Sequence, residues 1–153
     1  MKNYKMKRLT SKDVDILKFI AQIHESLPSA WIKDYTVSDD TVNKTTEELI
    51  YKHKKEQVFC SVIECNDAVI SYIWAEVNKN NSKQIDIMSL WTDEKYRGLG
   101  HANKLKFALE NWAKDEMSAE KIHTTVSNSN ENMIQLNEKL GYKTEYYRMV
   151  KYL

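Results

Sequence analysis

Between residues 14 and 24, Val14, Leu17, Ile20, Ala21 and His24 recur every three to four positions, which predicts a helix with one buried face. Thr10 or Ser11 is placed to cap this helix and Pro28 to end it. Residues 4–9, ahead of it, alternate weakly, as in a short first strand. Residues 29–40 lose all period, yet hold Trp31, Ile32 and Tyr35 among Asp34, Asp39 and Asp40. Residues 41–55 predict a second helix. Its last turn carries Lys52-His53-Lys54-Lys55, where positive charge complements the helix dipole.

The pattern then changes to strands. Residues 57–65 and 68–77 are joined by Asn66-Asp67, a short hairpin signal, and residues 84–92 follow a polar loop. From about residue 98 to 117 helical spacing returns, with Ala102, Leu105, Leu109, Trp112 and Ala113 on one face. Residues 121–126 predict a strand, 131–140 a helix, and 142–153 one or two final strands. No repeat, low-complexity tract or linker interrupts this order. It describes one α/β domain spanning residues 1–153, a mixed central sheet of about six to seven strands flanked by about four helices.

Composition narrows the class. The chain has 153 residues, a length that suits one domain burying about 68–70% of its unfolded surface. Three glycines and one proline exclude collagen-like or Pro/Gly-rich disordered classes. A net charge of +1 supplies no general attraction to nucleic acid or to an anionic membrane, so neither is expected as a partner. No run approaches 18 apolar residues, and the stretch from Met1 to Arg8 lacks an apolar signal-peptide core. Cys60 and Cys65, five apart in a strand, face opposite ways and read as reduced thiols, with a cytoplasmic location expected. His24, His53, His101 and His123 show no ligand spacing, so no metal is expected.

The segment with chemical content is Leu90-Trp91-Thr92-Asp93-Glu94-Lys95-Tyr96-Arg97-Gly98-Leu99-Gly100-His101-Ala102. A strand ends, a loop carries two glycines and a long helix begins. The unpaired N–H groups and positive dipole end of such a helix favour an anion, and glycine lets phosphate oxygens approach the backbone. It is not a Walker loop, because His101-Ala102 follow Gly100 where Lys-Ser/Thr is needed. Nor does it match a dinucleotide fingerprint, because Asn103 occupies the third small position.

Arg97-Gly98-Leu99-Gly100-His101-Ala102 resembles the Arg/Gln-x-x-Gly-x-Gly/Ala signature of the GNAT superfamily of acyl-CoA-dependent N-acyltransferases. Asn130-x-x-Met133 and Leu140-Gly141-Tyr142 follow in the family's order, and the detailed likeness covers about residues 84–147. The resemblance implies acetyl-CoA bound in an opening between two splayed strands, here 84–92 and 121–126. Backbone groups of Leu90 and Thr92, flanking Trp91, are implied to pair with the pantetheine arm. The loop from Arg97 to Ala102 would hold the pyrophosphate, with the ring of His101 either touching it or solvated. Asn130 sits where the family contacts CoA.

The implied reaction is direct attack of a primary amine on the thioester. An amine of pKa near 10.4 needs a base to release its proton. Asp86, eleven residues before Arg97, fits a base or an amine-positioning group, or is an acid on a solvent face; Glu76 is the second choice. Where the family often carries a tyrosine acid, four residues before Gly141, stands Asn137. An amide cannot give up a proton, but it can hydrogen-bond the CoA sulfur. Tyr142, Tyr146 and Tyr147 are alternative acids. Trp31, Asp34, Tyr35 and Tyr146 are expected to line the acceptor side, suited to a cationic amine. The alternatives kept open are a silent acyl-CoA-binding module, and for the oligomer, monomer or homodimer.

Overall fold

The computed structural model describes residues 2–153; Met1, the first residue of the basic N-terminal stretch, lies outside the described residues. Five strands form one sheet in the order β1 (Tyr4–Arg8), β2 (Val58–Cys65), β3 (Ala68–Val77), β4 (Gln84–Thr92), β5 (Lys121–His123). All neighbours are antiparallel except β4 and β5, which run parallel. The helices are α1 (Val14–Ser26), α2 (Asp39–Lys54), α3 (His101–Asp115) and α4 (Glu131–Lys139). A 3-10 turn at Leu27–Ala30 carries Pro28, so α1 stops just before the proline, as the lost N–H and preceding-residue clash require.

The sheet separates two cores. Phe59, Ile63, Ile73 and Ile85 pack against Leu105, Leu109 and Trp112 of α3 on one face. On the other, Cys60, Val62, Tyr72 and Trp74 pack with Leu17 and Ile20 of α1 and Leu49 of α2. Cys65 belongs to the first core and Cys60 to the second, the opposite orientation expected from their spacing.

Local chemistry fixes the joints. Asn66 and Asp67 both take positive φ, 51° and 64°, which a two-residue hairpin turn requires and these residue types tolerate. Ser38 accepts a hydrogen bond from the Thr41 amide at 3.2 Å to cap α2. At the end of α4, Gly141 at φ +90 lets its own N–H donate to Glu138 O at 3.0 Å. The Tyr142 N–H then donates to Asn137 O at 2.9 Å. That pair of bonds is a Schellman cap, and it stitches Tyr142 to the turn that carries Asn137.

Two expectations change. The sheet has five strands, not six to seven, and no strand forms over residues 142–153. The strand expected over 121–126 is limited to Lys121–His123, because β5 meets β4 only through Gln84↔Lys121, Ile85↔Ile122 and Asp86↔His123. Beyond that point the two strands part, and residues after Gly141 find no ladder to join.

Candidate active site

The parting of β4 from β5 creates the site. From Ile87 to Thr92, β4 is held by β3 on one side and has no strand partner on the other. An extra residue, Met88, bulges between Ser89 (opposite Trp74) and Ile87 (opposite Ala75). The bulge lets Ile87 and Leu90 both pack toward α3, while the intervening Ser89 hydroxyl meets the Tyr72 hydroxyl at 2.7 Å on the other face. Trp91 also turns to that face, stacked on Tyr72 and edge-on to Phe19 of α1. Thr92 hydrogen-bonds Ser71 through its hydroxyl at 2.7 Å.

After Thr92 a short 3-10 turn, Glu94–Tyr96, leads into the glycine loop. Arg97 donates from Nε to Thr92 O at 3.1 Å, and so clips the loop to the end of β4. Gly98 and Gly100 sit at φ +75 and +82, and a Cβ built on either meets nothing within 4 Å. Backbone conformation, not crowding, therefore calls for glycine here, and the space beside the loop is open. Gly100 is the N-cap of α3, and Leu99 beside it is exposed. The first-turn N–H groups of a 15-residue helix thus lie next to the unpaired edge of β4. His101 does not offer its ring to the loop. It is 2% exposed and packs edge-on to Tyr4 of β1 with ring centroids 4.8 Å apart, and burial lowers its pKa. Only its backbone, with that of Ala102, belongs to the first turn of α3 beside the glycine loop.

Asp86 stands at the fork, the last β4 residue paired with β5. Its carboxylate accepts hydrogen bonds from Asn78 Nδ2 at 2.8 Å and Gln84 Nε2 at 2.7 Å. The Gln84 amide is also 2.9 Å from His123 Nδ1, and His123 Nε2 lies 3.2 Å from the Glu145 carboxylate. Glu76, directly opposite Asp86 on β3, accepts from Lys52 Nζ at 2.9 Å and from Trp74 Nε1 at 3.0 Å. His24 packs against Trp74 beside this pair, its Nδ1 buried without a partner and its pKa lowered by burial.

Asn137 lies on the α3 side, 6% exposed. Its Oδ1 accepts a hydrogen bond from the Nζ of Lys106, which is 1% exposed and 4.5 Å from the centre of the Tyr142 ring. Burial lowers Lys106 to a pKa of about 8 against the pull of Glu110, and raises Tyr142, whose hydroxyl is buried and unpartnered, to about 12. Lys106 is a buried partner of the candidate residue Asn137 that sequence reasoning missed. The signal existed: position 106 lies four residues after Ala102 and three before Leu109, within the apolar stripe of α3.

Other expected residues are dispersed. Asn130 caps α4 by accepting from the Met133 amide at 3.2 Å. Trp31 is exposed, Asp34 takes a positive φ of 56° and Tyr35 is half-buried, all in the irregular segment between α1 and α2. Tyr146 is exposed in the C-terminal segment, and no hydrogen bond or aromatic contact joins it to these three among the described residues. No group of acidic, histidine and cysteine side chains able to hold a metal occurs among the described residues. No helix is long and apolar enough to cross a membrane.

Comparison with known proteins agrees with this geometry. No curated protein matches the sequence. A Staphylococcus aureus subsp. aureus protein described as a GNAT family acetyltransferase superimposes with a TM-score of 0.71 at 28% identity, over 78% of this chain and 98% of that one. An aminoglycoside acetyltransferase, meta-AAC0020, from an uncultured soil metagenomic sample in complex with sisomicin has a TM-score of 0.70 at 16% identity, over 98% and 95%. AAC(6')-Iy in complex with a CoA bisubstrate analogue has a TM-score of 0.69 at 12% identity, over 99% and 97%. These last two share the fold. The sequence profile of the acetyltransferase (GNAT) family matches residues 20–142. With its forked β4–β5 pair and glycine loop, the chain belongs to the GNAT family of acetyltransferases.

Proposed function

We propose that the protein transfers an acetyl group from acetyl-CoA to a primary amine, by direct attack in a ternary complex, the acceptor being a small amine. The observation that carries this reading is the junction of the open β4 edge with the α3 N-terminus through Gly98 and Gly100. A linear donor with an amide-bearing arm and a pyrophosphate fits both parts at once. Backbone groups of Leu90 and Thr92 would receive the arm as an added strand, and the amides from Leu99 to Ala102 the pyrophosphate. When bound, the thioester supplies an activated carbonyl and a thiol leaving group.

The chain's own residues then divide the remaining tasks. Asp86, at the fork and restrained by Asn78 and Gln84, takes or relays the proton of the incoming ammonium. Asn137, its Oδ1 held by Lys106, presents its amide N–H donors to the departing sulfur; the buried ammonium behind it adds positive potential. A thiol of pKa near 8.5 leaves without an obligatory proton donor, so Tyr142 is a supporting wall in this reading. Trp31, Asp34, Tyr35 and Tyr146 remain the acceptor-side candidates, where aromatic and acidic groups suit a cation such as an aminoglycoside or polyamine amine.

Initial-rate measurements with acetyl-CoA and amine both varied test the order of events. Intersecting double-reciprocal lines are expected, and parallel lines would point to an acyl-enzyme instead. Asn137→Ala is expected to lower turnover or CoA affinity; an unchanged enzyme would remove Asn137 from the account.

A further inference from the structure

Asp86 is held from two sides, and its two holders are anchored differently. Asn78 donates to its Oδ2 at 2.8 Å. That side chain is itself fixed, because its Oδ1 accepts the backbone amides of Asn80 and Asn81 at 2.9 and 3.0 Å. Gln84 donates to Oδ1 at 2.7 Å from the end of a long, rotatable side chain. Among the described residues, the only other hydrogen bond of that side chain is to His123 Nδ1, at 2.9 Å. This contact crosses from β4 to β5 at the last rung of their ladder, where Asp86 stands opposite His123.

The available protons fix the roles. One atom, the Gln84 amide nitrogen, faces both Asp86 and His123, and an amide nitrogen carries two N–H donors. Turning the amide over would set its carbonyl oxygen against the Asp86 carboxylate, two acceptors with no proton between them. One N–H therefore goes to Asp86 and the other to His123, whose Nδ1 is the bare, accepting nitrogen. The ring proton then lies on Nε2, 3.2 Å from a carboxylate oxygen of Glu145, whose negative charge favours it there. A proton on Nδ1 would meet the Gln84 N–H head-on and break the contact. One arrangement satisfies the whole line, from Glu145 through His123 and Gln84 to Asp86.

We infer that His123, acting through the Gln84 amide, positions the Asp86 carboxylate at the fork. The inference rests on Asp86 serving as the base for the incoming amine. Each Asp86 oxygen accepts one amide bond and keeps a further lone-pair site for the ammonium or a relaying water. Asn78 alone would leave the other oxygen free to swing away, and a small displacement of a reacting group is costly in rate. The Gln84 amide removes that freedom only while His123 holds it in place.

Two-bond hydrogen–nitrogen NMR correlations of the full chain at about pH 8 read the ring directly. His123 is expected with a protonated Nε2 and a bare Nδ1. A proton on Nδ1 would overturn the inference, whatever the acceptor amine. Kinetics give a second arm, with acetyl-CoA and the amine that releases CoA fastest among aminoglycosides, polyamines and amino acids. Gln84→Leu and His123→Ala should each lower kcat about tenfold, with KM for acetyl-CoA within about twofold of the native value. The double variant should be no slower than Gln84→Leu, because both changes cut the same line of contacts. Losses that multiply, or a native rate in His123→Ala while Asp86→Asn is slow, would overturn the inference and leave Asp86 as the base. A native rate in Asp86→Asn would instead remove the base assignment, and this inference with it.

Discussion

Lys106 and Asn137 form the pair on which the residue-scale account turns. An ammonium inside an apolar helix face is costly, and here it is held by one amide oxygen and one aromatic ring. Its pKa falls from 10.5 to about 8, so between those pH values the unfolded chain keeps a proton that the folded chain has released. The sign follows: this residue's contribution to stability rises from pH 8 to 10.5. The unfolding free energy of the native chain, measured relative to Lys106→Met, should therefore grow across that range, by roughly 3 kcal/mol at about 1.4 kcal/mol per pH unit. Using the difference cancels Cys60 and Tyr72, whose raised pKa values act in the opposite direction in both proteins. Denaturant titrations at several pH values give the curve, and a flat difference would contradict the assignment. At the fork, Asp86→Asn should lower kcat by about 10²-fold or more while leaving CoA affinity near the native value; an unchanged rate would make Asp86 a structural acid. The sequence made Asp86 and Asn137 visible because they stand at fixed distances from the glycine motif. It did not make the Lys106 contact visible, because that bond joins residues 31 apart across two helices.

Elements bounded by local chemistry were legible. The Asn66-Asp67 turn and the Gly141 stop each depend on residues within four positions, and each forms as the sequence predicts; the cap of α1 does not, because Asp13 stands at its N-cap in place of Thr10 or Ser11 and turns its carboxylate back to the Thr10 amide. Elements that need a distant partner were not. Residues 124–126 and 142–153 have strand-like composition, but a strand exists only where a neighbour supplies the ladder. α3 is also shorter than the spacing predicts, beginning at His101 where the left-handed Gly100 ends the loop. That loop gives the element-scale prediction. Gly100→Ala forces a Cβ into φ +82 and should cost about 1–2 kcal/mol of stability. Because the strain is local to the turn proposed to hold the pyrophosphate, CoA affinity measured by calorimetry should fall with it. Unaltered affinity would place the pyrophosphate elsewhere.

For the whole molecule, the two cores do different work. The α3 core fixes the glycine loop and the Lys106–Asn137 pair against one face of the sheet. The α1–α2 core carries Tyr72 and Trp74, with Trp91 packed against it and Glu76 bonded to Trp74, on the other face. The fork between β4 and β5 opens the sheet beside both, and in the proposed reaction donor and acceptor would meet there from opposite faces. The residues proposed for the acceptor side, Trp31, Asp34, Tyr35 and Tyr146, are not brought together by hydrogen bonds or aromatic contacts, so the sequence made the proposed amine legible only as a cation. The most direct test is therefore CoA release from acetyl-CoA with a panel of amines, including aminoglycosides, polyamines and amino acids. The account predicts amine-dependent release of one CoA for each acetyl group found on an acceptor nitrogen. Tight binding of acetyl-CoA without transfer to any amine would contradict it.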